Sequence, residues 1–126
     1  MAAYTRFFTT SFGARIAYAS LGQGPPLIYL PPLSSHIELF MEERPFRAFN
    51  EALAADFTLI RYDRYGCGLS DRDRTDFRWQ LDLHVLEGLI AHLGLRQVAL
   101  YGVSGGGSTA IRYAVAHPER IAQLFL

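Results

Sequence analysis

The sequence predicts an α/β fold, a mostly parallel, doubly wound sheet entered through an N-terminal β-hairpin. Three observations predict it. Short apolar runs bounded by turn residues alternate with longer segments of helical spacing, the pattern of strands joined by crossover helices. Residues 4–20 alternate in strand fashion around a glycine turn, with no helix between them. The apolar run Gln97-Val98-Ala99-Leu100-Tyr101 passes through a glycine-rich turn straight into a helix-like segment.

Each element follows from local chemistry. Tyr4 to Thr10 alternates and carries aromatics, Ser11-Phe12-Gly13 turns, and Arg15 to Ala19 returns, so residues 4–20 form the hairpin. After the loop Gly22 to Pro26, Leu27-Ile28-Tyr29-Leu30 reads as a buried strand. Pro31-Pro32 ends it, because proline has no N–H to give a ladder. Glu43 to Ala55 has helical spacing, with Phe46, Phe49, Leu53 and Ala54 on one face, and Phe57 to Tyr62 is the next strand. The polar stretch Asp63 to Asp76 is a loop. Phe77 to Leu93 places apolar residues at 81, 85, 86, 89, 90 and 93 and stops before Gly94, as an amphipathic helix does. Strand 97–101, helix 105–117 and a sixth apolar run, Ile121 to Leu126, complete the series.

Composition narrows the function classes. The chain has 126 residues, half of them hydrophobic, which suits one compact domain. Twelve basic residues balance twelve acidic ones, so nothing favours nucleic acid or an anionic membrane as partner. The start, Met1 to Arg6, lacks the basic and apolar regions of a signal peptide, and no apolar run is long enough to span a bilayer. The one cysteine, Cys67, leaves no internal disulfide framework, and a cytoplasmic location is the expectation. No Cys/His cluster has metal-ligand spacing, so no metal or other cofactor is expected.

Right-handed crossovers bring the loops after parallel strands to one sheet edge, where such folds bind ligands. Loops 31–36, 63–72 and 102–106 should gather there. The last of these, Gly102-Val103-Ser104-Gly105-Gly106, is G-x-S-x-G between a strand and a helix, the context in which that motif is a nucleophile elbow. The bland alternative is a glycine-rich turn with an incidental serine. A phosphate cradle is disfavoured, because no lysine follows the glycines.

With four segments in order and spacing, the chain from about residue 14 onward resembles the α/β-hydrolase family. Leu30 to His36 stands where that family has its oxyanion-hole loop. Tyr62-Asp63-Arg64-Tyr65-Gly66-Cys67-Gly68-Leu69-Ser70-Asp71 resembles its D-x-R-G-x-G-x-S loop. Gly102 to Gly106 resembles its elbow, and His117-Pro118-Glu119-Arg120 its H-P-E-R segment. The chain also resembles hydrolase modules fused to transcription regulators or cyclases.

The resemblance implies a nucleophilic Ser104 attacking an ester or related carbonyl, with the Gly105 N–H as one oxyanion donor. The second would come from Leu33, since neither Pro31 nor Pro32 has an N–H and many relatives carry His-Gly there. Pro32, Leu33, Ser34, His36 and Val103 are the expected substrate-binding residues. A serine argues against the epoxide and haloalkane branches, which use aspartate, and favours esterases, lipases, C–C hydrolases, peptidases and perhydrolases.

The family order is serine, then acid, then histidine. After Ser104 the chain holds only Glu119 and His117 as candidates. Thirteen residues at ~1.5 Å each set His117 roughly 20 Å along the helix, so capping the helix end is its expected role. His36 faces the right edge but precedes the serine, and His84 and His92 read as ordinary positions on the 77–93 helix. Asp63 and Arg64 read as a salt bridge or turn bond supporting the loops, Cys67 as an inert small residue, and Asp71 to Asp76 as a solvated charge run.

The expectation is therefore that residues 1–126 are the N-terminal portion of a single α/β-hydrolase domain, cut in its sixth strand. The full-length protein would be an esterase-like serine hydrolase, and this chain alone would be inactive. Two other readings compete: a non-catalytic module that holds or senses a small ligand, or a complete chain that dimerises through strand 121–126.

Overall fold

The computed structural model describes residues 4–126; Met1 to Ala3, the first residues of the N-terminal stretch read above, lie outside them. Among the described residues, six strands form one sheet in the order β1-β2-β4-β3-β5-β6. The strands are β1 (Arg6–Thr9), β2 (Arg15–Leu21), β3 (Pro26–Leu30), β4 (Thr58–Tyr62), β5 (Val98–Gly102) and β6 (Ile121–Phe125). The first pairs antiparallel with the second, and the second antiparallel with β4; β4, β3, β5 and β6 run parallel. The hairpin and the mostly parallel sheet are thus as the sequence predicts.

Period-two alternation assigns each strand's residues to opposite faces. Ile28, Leu30, Ile60, Tyr62 and Leu100 turn to one face, where α2 (Trp79–His92) covers them with Val85, Leu86, Leu89 and Ile90. On that same face α3 (Gly105–Ala116) adds Ala110 and Tyr113. Leu27, Tyr29, Leu59 and Ala99 turn to the other face, where α1 (Arg44–Ala54) brings Phe46, Leu53 and Ala54. Phe49, the fourth residue of the expected apolar face, meets Tyr29 and Tyr101 edge-on. Both faces are covered, which makes the sheet doubly wound.

From β3 the chain crosses to β4 on one side and then to β5 on the other. The loops after β3 and β5 therefore leave neighbouring strands in a crevice at a topological switch point.

Several boundaries and roles differ from the sequence reading. A 3₁₀ turn, Leu39–Glu42, precedes α1 and had no signal strong enough to separate it from the loop. Phe77 is not helical; it is 71% exposed, and α2 begins two residues later. The charge run 71–76 is not simply a solvated loop. The Arg74 side chain is only 1% exposed, because it is buried against Asp82. Among the described residues, no helix is long and apolar enough to cross a membrane.

Candidate active site

Ser104 follows the end of β5 by two residues and is the N-cap of α3, with φ 53° and ψ −118°. Among the described residues it is the one non-glycine with positive φ. Such a backbone costs roughly 1–3 kcal/mol and persists only where its surroundings over-determine it. Here two glycines do so. A side chain at Gly102 would overlap the backbone of Gly106 and Gly107, and one at Gly106 would overlap the carbonyls of Leu30 and Pro31. Strand and helix approach too closely for any Cβ, so the turn must stay sharp. It lifts Ser104 to an exposed position, with no hydrogen-bond partner for its hydroxyl among the described residues.

The β3 loop passes beside this turn. The Leu33 nitrogen lies 4.0 Å from where a Cβ on Gly105 would sit. Among the described residues, neither the Gly105 N–H nor the Leu33 N–H donates to a protein acceptor. Two unpaired donors thus flank the serine, one of them at the positive end of the α3 dipole. This arrangement can hold negative charge developing on an oxygen beside Ser104. Leu33 is 71% exposed and Ser34 is exposed, whereas Val103 packs partly against the α1-side core and bonds Leu30 O through its N–H at 3.2 Å. Pro32 and His36 line a small cavity beneath the loop.

The β4 loop clamps the β3 loop from behind. Asp63 is fully buried and accepts from Ser35 Oγ at 2.7 Å, Ile37 N at 3.3 Å and Leu69 N at 2.9 Å. Gly68 has φ +54° and lies against that carboxylate, where any side chain would collide. Ser70 closes the wrap, donating to Asp63 O at 2.7 Å and accepting from Ala17 N at 2.9 Å. Asp63 and Arg64 therefore do support the loops, but not as a pair. Arg64 binds Asp82 instead, at 3.1 and 3.2 Å, and Arg74 binds the same carboxylate at 2.9 and 3.1 Å. Burial alone would raise the Asp82 pKa, but hydrogen bonds from Arg74 and Arg64 outweigh it and hold the carboxyl below its usual value. Arg64 and Cys67 both donate to Leu33 O, at 3.3 and 3.2 Å.

The three loops expected at one edge are there, but no imidazole bonds Ser104 among the described residues. His36 Nδ1 accepts from Leu39 N at 3.0 Å and so caps the 3₁₀ turn. His117 ends α3 as expected, yet its ring serves Glu87, at 2.7 Å, rather than the helix carbonyls. His84 shares Glu87 at 3.1 Å, and His92 stacks on Phe8 while meeting the Tyr18 hydroxyl at 3.1 Å. Arg61, Arg74 and Asp82 are buried charged residues for which the sequence predicts no role. Arg61 had a visible signal, a charge inside the apolar strand Leu59-Ile60-Arg61-Tyr62.

Comparison with known proteins finds relatives of this chain. The model of the alpha/beta hydrolase fold matches residues 25–126. A proline iminopeptidase of Heyndrickxia coagulans is 32% identical over 126 aligned residues, covering 94% of this chain and 41% of the relative. A soluble epoxide hydrolase of a Corynebacterium species is 31% identical, covering 90% of the chain and 38% of the relative. The crystal structure of a hydrolase from Pseudomonas aeruginosa superposes with a TM-score of 0.86 at 26% identity, covering 98% of this chain and 45% of that one. The chain spans about a third to two-fifths of the length of the curated relatives it matches.

Proposed function

This chain belongs to the family of the alpha/beta hydrolase fold, and from that membership we propose that the full-length protein is a serine hydrolase with Ser104 as its nucleophile. The observation that carries the reading is the backbone at Ser104. A positive φ held by Gly102 and Gly106 is a strained arrangement that an incidental serine does not need. The residue there is serine rather than the aspartate of the epoxide-opening branch, which favours acyl transfer.

In the proposed reaction Ser104 Oγ bonds to the carbonyl carbon of an ester while its proton passes to an imidazole base. The carbonyl π pair moves onto oxygen, where the N–H groups of Gly105 and Leu33 receive the charge. Collapse expels the alkoxide, which takes the proton from the imidazolium, and water then releases the acyl group by the same path. Pro32, Ser34, His36 and Val103 would border the acyl group. The base and its carboxylate partner would come from parts of the full-length protein that follow the elbow in chain order, as the family order places them.

Turnover of p-nitrophenyl acetate and butyrate by the full-length protein tests this reading. It is supported if Ser104→Ala reduces kcat/KM by at least about 10³-fold, the scale for a member of an acyl-transfer triad. Retained turnover in that variant overturns it. A full-length chain that binds such esters and never turns them over would leave a ligand-holding module instead.

A further inference from the structure

Beneath the β3 loop, on the α1 side of the sheet, lies a cavity of about 20 Å³. Arg61, from the middle of β4, lines it together with Tyr29, His36, Ile37 and Phe46. Arg61 is 3% exposed, and its Nη1 donates to Ile37 O at 2.9 Å. Its Nε is buried and has no acceptor among the described residues. A guanidinium carries five N–H donors and keeps its charge in proteins, so a buried one with a single protein acceptor is under-satisfied.

The remaining polar groups of the cavity sharpen the chemistry. Tyr29 stays protonated, because burial and then Tyr101 raise its pKa against the opposing pull of Arg61, and its hydroxyl has no protein partner among the described residues. His36 uses Nδ1 to accept from Leu39 N, which in the neutral ring places the proton on Nε2 and makes it a donor. Asp63, the carboxylate whose charge acts on Arg61, makes no ion pair with it and does not line the cavity, and its oxygens already receive Ser35, Ile37 and Leu69. A donor-rich, charged, largely apolar cavity matches a guest that only accepts. The volume exceeds the roughly 10–15 Å³ that one water-sized guest requires, and excludes a drug-sized one.

We infer that Arg61 forms the floor of a binding site for a compact monovalent anion, the size of a halide or a single carboxylate group. Bound there, the anion links Arg61 to the underside of the 31–37 loop and holds that loop in place. The cavity shares Pro32 and His36 with the border proposed for the acyl group, but Arg61 itself has no part in the chemistry at Ser104.

The test uses the full-length protein, with bromide and formate as probes and bulky methanesulfonate as the comparator at fixed ionic strength. Crystals soaked in bromide should show anomalous density in contact with the Arg61 guanidinium. Exchanging methanesulfonate for bromide or formate should raise Tm by about 2 °C or more, and Arg61→Met should abolish the rise. Formate binding without bromide identifies a carboxylate group as the guest; bromide binding identifies a free ion. If Arg61→Met does not fold, the wild-type soaks decide alone. Only water at the guanidinium in both soaks, or an equal Tm rise in Arg61→Met, overturns the site.

Discussion

Arg64 joins the Asp82 carboxylate to the Leu33 carbonyl: Nε and Nη2 hold the acid while Nη1 donates to Leu33 O at 3.3 Å. A helix on one side of the sheet thereby fixes the residue whose nitrogen lies beside Gly105. On the proposed mechanism Arg64 is a positioning residue. In the full-length protein Arg64→Ala should lower kcat about 10-fold or more with KM changed less than about 3-fold, since a misplaced donor weakens the transition state and not the ground state. Steady-state kinetics on an ester substrate checks the split; an equal rise in KM would place Arg64 in ground-state binding.

The glycines of the elbow differ sharply in what they tolerate. Gly106→Ala drives a methyl into the carbonyls of Leu30 and Pro31 and should destabilise by about 3 kcal/mol. Gly105→Ala meets nothing closer than Leu33 N at 4.0 Å and should change stability by less than about 0.5 kcal/mol. Urea denaturation of the two variants side by side checks the contrast.

The Ser104 backbone stores strain that glycine does not feel. Ser104→Gly should raise stability by about 1 kcal/mol, the relieved strain less the extra freedom of glycine in the unfolded chain. Ser104→Ala keeps the strain and should gain nothing. Thermal melts of both variants check this; equal stabilities would mean that the turn holds no strain.

Asp82 makes the fold sensitive to acid. Its folded pKa lies below its unfolded one, so the unfolded chain binds more protons between the two values. Its contribution is complete above the ordinary carboxylate pKa of about 3.9 and is lost as pH falls through the lower folded value. Asp82→Asn leaves Arg64 and Arg74 without their counter-charge and should cost about 3 kcal/mol at neutral pH. It should also flatten the acid limb of stability against pH. An unchanged limb would show that Asp82 does not titrate differently in the two states.

Much of this was legible in the sequence for physical reasons. Short apolar runs at Leu27–Leu30, Leu59–Tyr62 and Val98–Leu100 exposed the strands, and glycines at 102 and 106 marked a turn that admits no Cβ. Strand order was not legible, because pairing β2 with β4 instead of β3 depends on tertiary packing rather than on local pattern. The Arg74–Asp82 pair was hidden as well. Both residues sit in charged or amphipathic stretches whose composition reads as surface, and only their mutual contact makes burial tolerable. The roles of the histidines likewise depended on partners such as Glu87 and Tyr18, which are remote in sequence.

Covalent labelling tests Ser104 as a nucleophile most directly. The full-length protein would be incubated with a fluorophosphonate and the adduct mapped by peptide mass spectrometry. One adduct is expected, on the peptide carrying Ser104, and none in Ser104→Ala. An unlabelled native protein, or an adduct that persists in that variant, would contradict that role.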